Sequence, residues 1–212
     1  MSVSDQQLLD QLKLAQKDEQ LWGELLNAHR ARLRITVDLR MQEQLRARVD
    51  ASDVIQEAFM DATRRLPEYL ENPAVPFFIW LRTLTTQRLA MAHRHHLGTK
   101  ARDARRETPM FSQPLPDATS IVLLAALIGQ FDSPSSVAVH AEQKRILETA
   151  LAELEPIDQE ILVLRHFEEM TNSEVAAALD LKPSAAANRY LRALERLKQA
   201  LHRVTEHPSQ LS

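Results

Sequence analysis

The chain has 212 residues, 44% apolar and 26% charged, the balance of a globular protein with one ordinary domain or two small ones. It holds 3 glycines, no two within thirty residues of each other, which excludes phosphate-cradling loops and nucleophile elbows built on closely spaced glycines. The absence of cysteine excludes disulfides, thiolate zinc sites and thiol nucleophiles and suits a reducing, cytoplasmic compartment. The longest apolar run, Ile121 to Ile128, is far short of the roughly 20 residues that cross a bilayer. The start of the chain lacks the basic and apolar segments of a signal peptide, so no membrane insertion is expected.

Abundant Ala, Leu, Glu, Gln and Arg, with no sustained period-two alternation, predict an all-α protein. In chain order, Ser4 and Gln7 resemble a capping box before Leu8, Leu9 and Leu12, and a second apolar stripe follows through Leu21, Trp22, Leu25 and Leu26. Asp50 or Ser52 is placed to cap a helix in which Ile55, Phe59, Ala62 and Leu66 recur at three- and four-residue steps, with Pro67 near its end. Turn residues Asn72, Pro73 and Pro76 precede an aromatic start, Phe77, Phe78 and Trp80, to a helix running through Leu81, Leu84 and Met91. From Glu107 to Ser136 prolines and serines accumulate and periodicity is lost, although Ile121 to Ile128 is too apolar to lie bare in water and is expected to pack on a domain or a partner. Helical periodicity resumes from His140 to about Val204. The pattern predicts one helical domain over 1–106, a linker over 107–139 and a second helical domain over 140–206.

Net charge is only −3, yet the charges are segregated. Arg88 to Arg106 holds six bases against Asp103, and Lys182 to Arg203 holds six against Glu195, whereas Glu142 to Asp180 holds ten acids against three bases. Such alternation suits two surfaces for a polyanion on a body able to meet a basic protein.

The second basic segment has a structural context. Thr171 and Glu174 form a T-x-x-E capping box before Val175, Ala176, Ala178 and Leu179; a turn from Asp180 to Pro183 follows. Ser184 is expected to cap a longer helix with Tyr190, Leu194, Leu197, Leu201 and Val204 along one side. This is a helix-turn-helix, a unit that also occurs without DNA, but the opposite face presents Ala185, Asn188, Arg189, Arg192 and Arg196. The first turns of that helix suit a major groove and the later bases suit phosphate.

On the earlier helix the apolar stripe leaves Asp53, Gln56, Glu57 and Asp61 outward, an acidic ridge fitted to a basic protein partner. Here the residues resemble a family. The run from Asp50 to Phe59, D-A-S-D-V-I-Q-E-A-F, followed by F-I-W-L at Phe78 to Leu81, is similar to region 2 of bacterial extracytoplasmic-function (ECF) sigma factors. The run L-E-P-I-D-Q-E-I-L-V-L-R from Leu154 to Arg165, with the helix-turn-helix after it, resembles region 4 of the same family. The resemblance implies a subunit without covalent chemistry or cofactor, in which region 2 binds core RNA polymerase and opens the −10 promoter element while region 4 holds the −35 element. By the same resemblance Asp53, Gln56 and Glu57, with Asp61 on their ridge, match the polymerase-binding helix. Gln87, Arg88 and Met91, with Arg94, His95, Lys100 and Arg102 in the basic run after them, match the stretch that meets −10 DNA. Asn188, Arg189 and Arg192 match the reading helix, flanked by Lys182, Ser184, Ala185 and Arg196, and the loop Leu70 to Pro76 corresponds to a pocket for an unstacked base. The family also implies an anti-sigma partner.

Two other readings remain open to the residues themselves: a helix-turn-helix regulator whose amino-terminal domain senses a ligand or dimerises, and a helical adaptor without a DNA role. A metal site at His93, His95 and His96 is disfavoured, because paired ligands on a helix are wanted at i and i+4. These histidines are read instead as part of a solvated basic segment.

Overall fold

A computed structural model describes residues 9–10, 18–97 and 137–206. The expected cap at Ser4, the bases Lys100 and Arg102, most of the linker and the apolar run Ile121 to Ile128 lie outside the described residues. The chain divides into two units, Met1–Thr108 and Pro109–Ser212. Every regular element among the described residues is a helix.

The amino-terminal unit is a bundle of α1 (Glu19–Arg40), the single turn α2 (Glu43–Arg46), α3 (Ala51–Glu71) and α4 (Phe77–Leu97). Asp18 starts α1 by accepting the backbone N–H groups of Gln20 and Leu21 at 3.0 and 3.1 Å, two of the donors that a helix start leaves without partners. The buried stripe of α1 runs Trp22, Leu25, Leu26, His29, Leu33 and Val37, and the helix lies across both α3 and α4. Of the two caps expected for α3, Asp50 is the one used, accepting the Ser52 N–H at 2.6 Å.

One detail of α3 departs from the sequence reading and one, Pro67 near its end, agrees with it. Its buried face is Ala51, Val54, Ile55, Ala58, Ala62 and Tyr69, so Phe59 and Leu66 stand at the flank rather than in the core. Ala58 takes the point of close approach, and Phe59 is sheltered by the Arg30 guanidinium 5.0 Å above its ring. Pro67 lies inside the helix, which continues to Glu71. The ring removes one backbone donor without ending the helix there.

Phe77, wholly buried at the start of α4, organises the ring cluster of this unit. Trp22 meets it edge-on at 5.9 Å, and Tyr69, Trp80 and His29 lie at 5.8, 5.7 and 5.5 Å. Trp80 is half-buried and stacks on Tyr69 at 4.5 Å. Two of these rings, Trp22 and Tyr69, bond through their polar ends. Trp22 Nε1 donates to Thr63 Oγ1 at 2.9 Å, and the Tyr69 hydroxyl donates to the Val75 carbonyl at 2.9 Å, tying α3 to the loop before α4.

The carboxy-terminal unit comprises α5 (Val137–Ala152), α6 (Pro156–His166), α7 (Asn172–Ala178) and α8 (Pro183–Glu206). α8 packs against each of the other three through Ala186, Ala193, Leu197, Ala200, Leu201 and Val204. Tyr190 and Leu194, read from the sequence as part of that side, are half-buried; two alanines hold the core positions nearest the turn and let the helices approach. Both parts of the Thr171–Glu174 capping box form. α7 ends at Asp180 in the left-handed region at φ 52°, and the Leu181 N–H reaches back to the Ala176 carbonyl at 2.8 Å, as in a Schellman turn. Asn172 Nδ2 donates to the Pro183 carbonyl at 2.9 Å and joins the two helix starts. α8 begins with Pro183 in its first turn, where the missing N–H is no loss, so Ser184 sits inside the helix and not at the cap expected for it.

Both tryptophans, Trp22 and Trp80, belong to the amino-terminal unit, so their fluorescence reports on that unit alone. Phe77→Ala should empty the centre of the ring cluster and destabilise the unit by about 3–5 kcal/mol, read as a fall in the urea midpoint of tryptophan fluorescence. An unchanged midpoint would remove Phe77 from the centre of the core.

Candidate protein and nucleic-acid interfaces

Asp53, Gln56 and Glu57 stand exposed on α3 with Met60 one turn further on, itself 52% exposed. The fourth acid of the ridge turns away: the Asp61 side chain is only 15% exposed and faces α4. Arg88 receives it. Its Nε donates to Asp61 Oδ2 at 2.5 Å and its Nη2 to Oδ1, while Nη1 lies 3.5 Å from Glu57 Oε2. The forked geometry of a guanidinium on a carboxylate accounts for the pairing. Hydrogen bonding from Arg88, against the opposing effect of burial, holds the Asp61 carboxyl below its ordinary value, and the same bond raises the guanidinium. The sequence reading placed these two residues on separate surfaces; the structure joins them in the seam between α3 and α4.

Gln87, Met91, Arg94 and His95 recur at helical spacing and are exposed on α4. Their neighbour His93 differs. It is half-buried, and that burial lowers its pKa, so it is disposed against charge and is no part of a solvated basic segment.

In the carboxy-terminal unit Lys182, Ser184, Ala185, Asn188 and Arg192 are exposed, the arrangement a reading helix needs. Leu191, which the sequence reading did not single out, is 62% exposed beside them. Arg189 and Arg196, expected on the same outward face, reach the first turn of α6; the Arg189 side chain is 28% exposed, whereas Arg196 stays 48% exposed while it does so. Asp158 there is 1% exposed; Arg196 Nη1 binds its Oδ2, and Arg189 Nε lies 3.5 Å from its Oδ1. Glu155, at the edge, stands 3.5 Å from Arg196 and 3.8 Å from Arg189. The bond to Asp158 raises the Arg196 pKa and keeps that charge fixed.

Asp158 and Glu155 are the functional candidates that sequence reasoning missed. Their spacing at a helix start is visible, but the partner of Asp158 lies 38 residues away, and no local periodicity names it. A second tie between the same helices joins the Tyr190 hydroxyl to His166 Nε2 at 3.0 Å, with the Arg165 guanidinium 5.3 Å over the Tyr190 ring.

Comparison with known proteins gives these surfaces a context. Residues 144–197 match the family described as Sigma-70, region 4. The chain is 28% identical over 151 residues to the RNA polymerase sigma factor CarQ of Myxococcus xanthus, an alignment covering 71% of this chain and 74% of that protein. Its fold is similar to that of CnrH, solved in complex with the cytosolic domain of CnrY, with a TM-score of 0.53 at 21% identity across 93% of this chain and 97% of the other.

Burial, with the nearby Arg165 charge adding to it, lowers the His166 pKa from its ordinary 6.5. A lowered imidazole means that the unfolded chain takes up its proton first on acidification. The stabilising contribution is therefore complete above pH 6.5 and is lost as pH falls through the folded value. An NMR titration should place the His166 midpoint below 6.5, and His166→Gln should flatten the decline in stability of the carboxy-terminal unit over that interval. A midpoint at or above the ordinary value would contradict the buried, neutral imidazole.

Proposed function

We infer that this chain is a member of the ECF sigma factor family and acts as an alternative sigma factor, binding core RNA polymerase and directing promoter-specific initiation of transcription. The observation that carries this reading is the order of the two units. A sigma-70 region 4 helix-turn-helix at 144–197, with Asn188 and Arg192 turned outward, follows a helical unit whose α3 and α4 present a ridge of Asp53, Gln56 and Glu57 and a stripe of Gln87, Met91, Arg94 and His95.

In this reading α3 meets a basic surface of the polymerase. The exposed acids supply orientation and encounter rate, and the exposed apolar side chain of Met60 supplies a contact that excludes water. The α4 stripe meets the −10 element. Opening it requires bases to leave the stack at a few kcal/mol each, which binding to polymerase and DNA has to supply. Of the loop expected at Leu70 to Pro76, Leu70 and Glu71 close α3, and the Tyr69–Val75 bond braces the rest just before α4, so an extruded base would meet a pre-shaped segment. α8 lays Lys182, Ser184, Ala185, Asn188 and Arg192 toward the major groove and flanking phosphates of the −35 element. Nothing in this sequence of events makes or breaks a covalent bond in the subunit itself; it works by binding, in the cytoplasm. CnrH was solved with the cytosolic domain of CnrY, and a comparable anti-sigma partner is proposed here.

Run-off transcription with purified core polymerase over a promoter library tests the assignment. Asp53→Ala/Glu57→Ala should abolish co-elution with core polymerase and initiation together. Asn188→Ala/Arg192→Ala should retain co-elution but lose dependence on the upstream element by about tenfold or more, the equivalent of 1–3 kcal/mol per base contact. Tight binding of the chain alone to a palindromic duplex, without association with polymerase, would identify an ordinary DNA-binding regulator instead.

A further inference from the structure

Resting on the reading of α8 as a DNA-binding helix, we propose that Asp158 and Glu155 are positioning residues that reserve Arg189 and Arg196, so that α8 meets DNA through its outward side chains while its affinity for phosphate of any sequence is held down. At 100° per residue Arg189 and Arg196 lie within about 60° of Arg192 around the helix, at the border between its outward and packed faces. A long arginine side chain on such a border reaches either neighbour or solvent. What decides its direction is the carboxylate on the other side. Asp158, withdrawn from water at 1% exposure, binds both guanidinium groups, and the exposed Glu155 lies within 3.8 Å of each. Two positive charges of the basic segment Lys182 to Arg203 are thereby paired with carboxylates of α6 and its cap, Arg196 while remaining 48% exposed.

The consequence follows from how proteins bind DNA. Each phosphate neutralised releases counterions, adds affinity without regard to sequence, and steepens the salt dependence by about 0.9 in log–log slope. Two freed arginines at the edge of the groove would add such contacts. Base contacts from Asn188 and Arg192 would stay the same, so the ratio of promoter to random-sequence binding would fall. Internal carboxylates thus occupy the place that phosphate would otherwise take, and discrimination is kept by limiting the part of binding that carries no sequence information.

The experiment measures binding of the full chain to a fluorescein-labelled duplex of scrambled sequence between 50 and 200 mM salt, with Glu155→Gln, Asp158→Asn and Asp158→Asn/Arg189→Ala beside the parent. Asp158→Asn is expected to steepen the slope by about 1 to 2 and Glu155→Gln by a smaller amount in the same direction, with at least fivefold tighter binding at the lowest salt. Adding Arg189→Ala to Asp158→Asn should take back about 0.9 of that slope, a reversal that loss of packing would not produce. In run-off assays with core polymerase the single variants should lose selectivity between promoter and scrambled templates. Slopes equal to the parent's, or weaker binding of the scrambled duplex, overturn the proposal; if Asp158→Asn unfolds the unit, the exposed Glu155→Gln decides alone. A parent chain that binds duplex but supports no initiation defeats the functional reading and leaves the slopes to judge the reservation of charge.

Discussion

A carboxylate removed from water has to be met by charge or hydrogen bonds inside the protein, because an unpaired buried ion is among the largest penalties in folding. Asp158 is in that position, and the cations that meet it come from α8. The arrangement of the carboxy-terminal unit follows from the constraint. α6 and α8 must lie so that one oxygen pair reaches two arginines a heptad apart on α8, which sets the rotation of α8 about its own axis. Once that rotation is set, Asn188 and Arg192 face outward and Ala186, Ala193 and Leu197 face the core. The Tyr190–His166 bond and the Asn172–Pro183 bond hold the same orientation at two further points.

The amino-terminal unit meets a related problem in a milder form. Asp61 lies in the seam between α3 and α4 and is answered by the fork of Arg88, which also leans toward Glu57. The pair therefore joins α3, with its exposed acidic ridge, to α4, with its exposed stripe of Gln87, Met91, Arg94 and His95. A surface pair of this kind contributes little to stability, and a partly buried fork contributes more; here its larger effect is geometric. Glu57 is shared between the Arg88 side of the seam and the outward ridge.

Much of this was legible in the sequence because the signals are local. Capping boxes, turn prolines and the three–four recurrence of apolar residues placed α1, α3, α4, α7 and α8, and the Thr171–Glu174 box marked the start of α7 to the residue. Misreadings arose where a tertiary neighbour decides. Phe59 has the right spacing for a core position, but Ala58 fits the close approach to the neighbouring helices and displaces it to the flank. Ser184 is a good cap residue placed one position after a proline that starts the helix better. The largest departure concerns charge. Counting bases along 182–203 identified a basic helix, but no count along one segment shows that two of its arginines are answered by an acidic segment folded against it. Segregated charge in a sequence marks either a surface for a partner or two segments that neutralise one another, and only packing separates the two.

That ambiguity bears on how a subunit of modest net charge works with a polyanion. A protein that bound DNA through every base it carries would spend its time on random sequence, since each phosphate contact is available everywhere along the duplex. Selectivity improves when each unit binds weakly and both are recruited together, because the second contact then becomes intramolecular and is governed by the reach of the connecting segment and not by bulk concentration. For weak surfaces to combine in this way, each must be limited in the affinity it shows alone. On the proposal made above for α8, Asp158 provides that limit without removing the arginines themselves, whose forks continue to tie α8 to α6.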